Sequence, residues 1–189
     1  MTTLTLWTIG HSTHPIARFL ELLTAQRIEA LADVRRYPAS RRHPQFARES
    51  LEAALSDAGL RYVWLPELGG RRKPRRDSPN AGWHNEGFRG YADYMETEPF
   101  RAGIERLLAL ARERRTAFMC AEAAWQQCHR GPIADYLKAS GIEVLHILRD
   151  GETEPHPWTK PARVIEGRLT YPEESPGQSA LDLDWTGHR

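Results

Sequence analysis

Thr116-Ala117-Phe118-Met119-Cys120-Ala121-Glu122-Ala123-Ala124-Trp125-Gln126-Gln127-Cys128-His129-Arg130-Gly131-Pro132-Ile133-Ala134-Asp135-Tyr136-Leu137 is the stretch that decides how this chain is read. Its short apolar opening, residues 116–120, predicts a strand. Residues 128–140 predict a helix, which Gly141 ends. Between them lie both cysteines of the protein, a carboxylate, an imidazole and a guanidinium. Nucleophilic, acid/base and anion-binding groups therefore meet at one strand-to-helix turn. That is where open parallel sheets bind their ligands.

The flanking sequence repeats the alternation. In residues 4–9 Leu, Trp and Ile interleave with Thr, which predicts a strand, and residues 10–13 form a turn. Pro15 suits a first helical turn, and Ile16, Phe19, Leu20, Leu22 and Leu23 form an apolar stripe ending near Arg27. Residues 30–34 predict a second strand, completing a unit of the right size for a parallel crossover. A helix over 48–58 stopped by Gly59, a strand over 60–65, helices over 91–95 and 99–114, and a strand over 143–148 follow. Residues 163–171 predict a hairpin turning at Glu166-Gly167. Residues 35–46 and 66–90 lack periodicity, and so long a loop as the second is usually functional or disordered. The expected fold is α/β: a single domain over 1–172 with a mostly parallel sheet of about five strands, flanking helices and a C-terminal hairpin. A loose tail is expected over 173–189. Strand ends at His11-Ser12, Asp33-Arg35 and Cys120-Glu122 would then share one edge of the sheet.

Composition narrows the class. The chain has 189 residues, 40% apolar and 27% charged, with no apolar stretch long enough to cross a bilayer. The first residues carry no basic segment of the kind that opens a secretory signal. Two cysteines are too few to staple a secreted domain of this size, so the expected setting is the reducing cytoplasm, with free thiols. The net charge of +1 is unevenly spread. Residues 35–76 hold eleven Arg/Lys against four Asp/Glu, and residues 150–189 hold four against eight. A basic front predicts an anionic partner, or else solvated arginines on loop surfaces.

Several chemistries are open to these residues. Cys128, His129 and Arg130 at a helix start would give an acidified, nucleophilic thiol beside an anion site, unless Cys128 simply packs as a small buried residue. A phosphatase cradle needs Arg six positions after its Cys, but positions 126 and 134 are Gln and Ala; no glycine-rich sulfurtransferase turn follows Cys120. Cys120, Cys128 and His129 are weak candidates for a metal, with His11 or Glu122 as a fourth group, because adjacent Cys128 and His129 seldom chelate one ion. No cofactor is expected. Asp33 could orient His11 as a general base, or bind Arg35 in a structural ion pair. Glu122 could be a general acid/base with a raised pKa, if Trp125 and Phe118 shield it. His43, His84, His146 and His156 read as surface or capping groups. Arg35, Arg36, Arg41, Arg42 and the run from Arg71 and Arg72 to Arg76 lie near Phe46, Trp83, Phe88 and Tyr91, a mixture suited to phosphates and unpaired bases.

Thr8-Ile9-Gly10-His11-Ser12, Asp33-Val34-Arg35, Pro38-Ala39-Ser40, Phe46, Leu68-Gly69-Gly70, Phe88-Arg89-Gly90-Tyr91, Cys120-Ala121-Glu122 and Cys128-His129-Arg130 together resemble the family called domain of unknown function 488, from about Thr8 through Leu148. One departure is Gly131-Pro132, where such proteins often carry Ser-Leu and hence a hydroxyl at the helix start. The resemblance implies small α/β bacterial and archaeal proteins and a shared site, with no settled reaction.

The leading expectation is an enzyme acting on a phosphate-bearing substrate, nucleic acid or nucleotide, by a hydrolytic or base-excision step. Glu122, Cys128, His11 and Asp33 would be its catalytic groups. Ser12, Arg35, Ser40, His129, Arg130, Arg71 and Arg72 would bind the anion. A non-catalytic nucleic-acid-binding module and a cysteine-based sulfur-transfer or redox protein are the alternatives.

Overall fold

A computed structural model describes residues 4–173 of the chain. Five strands run parallel: β1 (Thr5–Gly10), β2 (Ala30–Asp33), β3 (Arg61–Trp64), β4 (Thr116–Cys120) and β5 (Glu143–Ile147). A sixth, β6 (Thr153–Pro155), pairs antiparallel with β5, and the order across the sheet is β3-β2-β4-β1-β5-β6. The helices are α1 (Ile16–Ala25), α2 (Arg48–Asp57), α3 (Glu86–Tyr94), α4 (Glu98–Glu113) and α5 (Arg130–Ala139). A separate hairpin, β7 (Arg163–Ile165) and β8 (Arg168–Thr170), follows. The fold is the single α/β domain expected. The tail expected over 173–189 lies outside the described residues but for Glu173.

Strand side chains alternate between two cores, as the period of two requires. Trp7, Ile9, Leu31, Ala117 and Met119 face Phe19, Leu22 and Leu23 of α1 and Leu51 and Leu55 of α2. Leu6, Ala30, Ala32 and Phe118 face the other way, toward Tyr91, Phe100, Leu107, Ile133 and Leu137 of α3, α4 and α5. Every residue of β2 and β4 is buried, because helices cover both faces.

Differences from the expected elements have local causes. The sheet gains β6, whose Thr-Glu-Pro sequence carries no apolar alternation and joins only at an edge, where proline is tolerated. Helix α3 begins at Glu86, not near Tyr91, because Gly87 and Gly90 hide its periodicity. Asn85 caps it, accepting from the backbone N–H groups of Gly87 and Phe88 at 2.8 and 3.2 Å. The long 66–90 segment is ordered. Buried Asp93 accepts from the Arg75 N–H (2.8 Å), the Ser78 hydroxyl (2.6 Å) and the Asn80 amide (2.8 Å). The hairpin turns at Glu166-Gly167, both at positive φ, as its sequence implies.

The topology creates one special place. From β1 the chain crosses through α1 to β2, and from β4 it crosses through α5 to β5 on the opposite side. Adjacent strands β1 and β4 thus send their connections in opposite directions, which opens a crevice at their carboxyl ends. Gly10 and Cys120 are register partners there. The Glu122 carbonyl presses onto Gly10 so closely that a Cβ would sit 1.8 Å from its oxygen, so only glycine fits.

Candidate functional site

A cleft of about 760 Å³ opens at this crevice. His11, Ser12, Cys120, Glu122, Cys128 and His129 line it from the strand ends and the approach to α5. Arg36, Tyr37, Ser40, Arg42 and His43 contribute from the loop after β2, and Arg71 and Phe88 from the 66–90 segment and α3. The stretches around positions 11, 35 and 120–129 therefore converge on one hollow, as their places on the sheet edge imply.

Glu122 is exposed on the cleft wall, and its Oε2 lies 2.7 Å from the buried Cys120 thiol, which donates to it. Trp125 and Phe118 do not shield it. Trp125 stacks on His146 at 4.5 Å, and Phe118 lies in the core. His129 hydrogen-bonds through Nε2 to the Val34 carbonyl at 2.8 Å. A carbonyl only accepts, so Nε2 carries a proton, and in the neutral ring the Nδ1 lone pair faces Cys120 Sγ, 3.8 Å away. Burial pushes the Cys128 thiol well above its ordinary pKa, and a hydrogen bond with Cys120 adds to the rise. This is the reverse of the acidified nucleophile that the helix start implied. The helix begins two residues later, at Arg130, after the single helical turn Trp125–Gln127.

Asp33 takes the structural alternative. Its carboxylate is fully buried and accepts from Arg35 Nε (2.9 Å) and Nη2 (2.6 Å) and from the Tyr62 hydroxyl (2.7 Å). It does not hold His11. The His11 ring donates from Nδ1 to the Ser12 carbonyl (2.9 Å), stacks on Phe46 at 4.3 Å, and presents Nε2 to Arg35 Nη1 at 3.4 Å. Burial lowers its pKa to about 4, and the nearby Arg35 lowers it further against the Ser12 bond. His11 is therefore neutral near pH 7.

Arg130 is not an anion holder. It is 1% exposed, and its guanidinium is spent inside the protein. Nε donates to Cys128 Sγ (3.1 Å), and Nη2 to the carbonyls of Glu122 (2.7 Å) and Ala123 (3.1 Å). Nη1 donates to Thr8 Oγ1 at 3.5 Å, which opens a buried polar chain. Thr8 Oγ1 lies 2.7 Å from His146 Nδ1, His146 Nε2 lies 2.8 Å from His156 Nδ1, and His156 Nε2 lies 3.0 Å from Asp135 Oδ1. Arginine can only donate and a carboxylate can only accept, and the contacts fit one direction of donation along the chain, from the Thr8 hydroxyl to His146 Nδ1, from His146 Nε2–H to His156 Nδ1 and from His156 Nε2–H to Asp135. Burial lowers the His146 pKa to about 2, helped by His156 and Arg130. The Thr159 hydroxyl and Tyr171 also donate to Asp135. His146 and His156 are thus buried structural groups, not surface or capping ones, and they brace Arg130 against the turn that carries Glu122. Their sequence signal was weak, because single histidines, one in an apolar run and one between prolines, carry no spacing.

The basic segments divide. Arg71 lines the cleft with φ 61°, whereas Arg72 turns away, stacks on Tyr94 at 3.6 Å and donates to the Gly69 carbonyl. Arg75 pairs with Glu96 at 3.3 Å. Ser40 lines the cleft and accepts from the His43 N–H at 2.9 Å. His43, expected at the surface, is half-buried in the cleft wall beside His11. Sequence reasoning passed over Tyr37 and undervalued Cys120. The register position of Cys120 beside Gly10 was the missing information.

An open, mostly parallel α/β sheet with a polar crevice at its switch point is the class that fold and site define. Residues 15–137 match the family model described as "Domain of unknown function DUF488", and the chain belongs to that family. The match covers α1 through most of α5, and so all of the cleft's walls except the turn after β1. Comparison with curated proteins and with solved structures returns no match.

Proposed function

We propose that the protein is a hydrolytic enzyme acting on a phosphate-bearing substrate, a nucleotide or a nucleotide unit of a nucleic acid. The observation that carries this reading is the polarity of the cleft. A solvent-facing carboxylate, Glu122, lines it beyond the end of β4, while Arg42 and Arg71 line it, exposed, from the loops. The volume lies in the range of small-molecule sites, a few hundred to about 1,000 Å³, and suits one nucleotide far better than a duplex. Arg42 and Arg71 supply the phosphate contacts in place of Arg35 and Arg130, and Phe88 and the exposed Tyr37 ring offer faces on which a base can stack. Glu122 serves as general acid/base, since it is the carboxylate that lines the cleft.

The test is a turnover screen of nucleotides and short single strands with the full chain. Glu122→Gln should lower kcat by about 10²-fold or more. Arg42→Ala with Arg71→Ala should raise KM and flatten its salt dependence. Full turnover by Glu122→Gln on a substrate the wild type cleaves would end the reading. Salt-dependent binding with no turnover would instead point to a non-catalytic binding module.

A further inference from the structure

We propose that Cys120, Cys128 and His129 form a zinc site, with the two sulfurs and His129 Nδ1 as ligands and an open fourth position facing the cleft beside Glu122. The inference does not depend on the substrate reading, because it concerns binding of the metal itself.

Geometry carries it. The three donor atoms all lie within 4.8 Å of one another, and Cys120 Sγ and His129 Nδ1 are 3.8 Å apart. Tetrahedral zinc, with bonds of about 2.3 Å to sulfur and about 2.0 Å to nitrogen, holds its donors about 3.5–3.8 Å apart. The triangle is therefore already near the required size, and closing it needs shifts of an ångström or less. The objection that neighbouring residues seldom chelate one ion is met by the backbone. Cys128 is extended (φ −143°, ψ 170°) and His129 is helical (φ −63°, ψ −5°). The bend between them turns both side chains toward Cys120.

The surroundings fit the same conclusion. His129 is held by Val34 in the tautomer whose free lone pair is on Nδ1, the arrangement in which metal-bound imidazoles are fixed. The Arg130 Nε–H points at Cys128 Sγ, so a donor already awaits negative charge on that sulfur. Arg130 is itself anchored by the chain through Thr8, His146, His156 and Asp135. Two thiolates and an imidazole select zinc over the hard cations magnesium and calcium. Binding would displace one proton from each thiol, so that Zn²⁺ and two thiolates leave no net charge. Glu122 stands where it can complete the tetrahedron or accept a proton from a water bound there.

The experiment uses the full chain, reduced, treated with a chelator and then titrated with Zn²⁺, and in parallel with Co²⁺ as a spectroscopic probe. The expected result is one equivalent bound per chain. Cobalt should show intense tetrahedral ligand-field bands with sulfur-to-cobalt charge transfer, and both thiols should become unreactive to alkylation once zinc is bound. Cys120→Ser should weaken zinc binding by about 100-fold or more. Glu122→Gln, which leaves all three ligands in place, should keep the sulfur charge-transfer band. The wild-type cobalt spectrum reports sulfur ligation directly, so the test survives a Cys variant that fails to fold. No stoichiometric binding by the folded, reduced chain would overturn the proposal. So would a six-coordinate cobalt spectrum without sulfur charge transfer, or thiols that remain alkylatable in excess zinc.

Discussion

Replacing Thr8 by valine removes one hydroxyl from the middle of the buried chain and leaves the volume almost unchanged. Two bonds go: the 2.7 Å contact with His146 Nδ1 and the 3.5 Å contact from Arg130 Nη1. The second is long, and Arg130 keeps its bonds to Cys128, Glu122 and Ala123, so most of the loss falls on His146. His146 is 1% exposed, so its Nδ1 is cut off from bulk solvent. A lost hydrogen bond contributes about 1 kcal/mol and a stranded buried acceptor about 1–3 kcal/mol, so the expected destabilisation is about 2 kcal/mol. In a chain of this length that is about 4–8 °C in Tm. Urea unfolding followed by circular dichroism measures it, with the midpoint shifting and the slope unchanged. The decisive comparison is a double-mutant cycle. In a His146→Leu background no acceptor remains to be stranded, so Thr8→Val should cost at least about 1 kcal/mol less than in the wild type. Equal costs in the two backgrounds, or a loss below about 0.5 kcal/mol in the wild type, would refute donation from Thr8 to His146.

Three further outcomes are expected. Stability should fall on acidification below about pH 6.5, because the unfolded chain protonates His11 and His146 while the folded one, with pKa values near 4 and 2, does not; the slope approaches about 2.7 kcal/mol per pH unit near pH 5, and His11→Gln should halve this histidine contribution in urea titrations across pH. Gly10→Ala should push the Glu122 carbonyl and Arg130 off the β1 end and cost about 3 kcal/mol or more in the same unfolding assay, because a Cβ there would meet backbone rather than a movable side chain. Asp33→Ala should cost about 3–5 kcal/mol by stranding buried Arg35, whereas Arg42→Ala on the exposed rim should stay within about 0.5 kcal/mol.

The parallel sheet was readable because its strands are short apolar runs separated by amphipathic helices, and β4 matches its expected bounds residue for residue. What escaped has physical reasons. The edge strand β6 is held by backbone bonds to residues 145–147, which leave no mark on side-chain pattern. Helix α3 hides behind two glycines, one of which must be glycine because Arg72's carbonyl would lie 2.3 Å from its Cβ. At the site, the sheet edge brought His11, Arg35, Cys120, Glu122 and His129 together as their strand positions imply. Sequence could not tell which cations were free. Arg35 and Arg130 look in the sequence like any exposed arginine, and only the depth of β2 and α5 shows them as internal ties.

That distinction has a consequence for how the site can vary. A buried guanidinium must keep partners for its donors, so Arg35 is bound to Asp33 and the Phe46 carbonyl, and Arg130 to the turn that carries Glu122. These ties fix Glu122, the two thiols and His129 to the sheet itself. The exposed Arg42, Arg71 and Tyr37 ride on loops with few such obligations. On the function proposed above, chemistry would sit on the frame and recognition on its rim, the usual division when one scaffold must hold reacting groups still while ligand contacts are free to change. Substitutions on the rim should then alter affinity and salt dependence at constant stability. Substitutions among the buried ties should lower stability and disturb the floor of the cleft together. A rim variant that unfolded the protein, or a tie variant as stable as the wild type, would show that the division had been drawn in the wrong place.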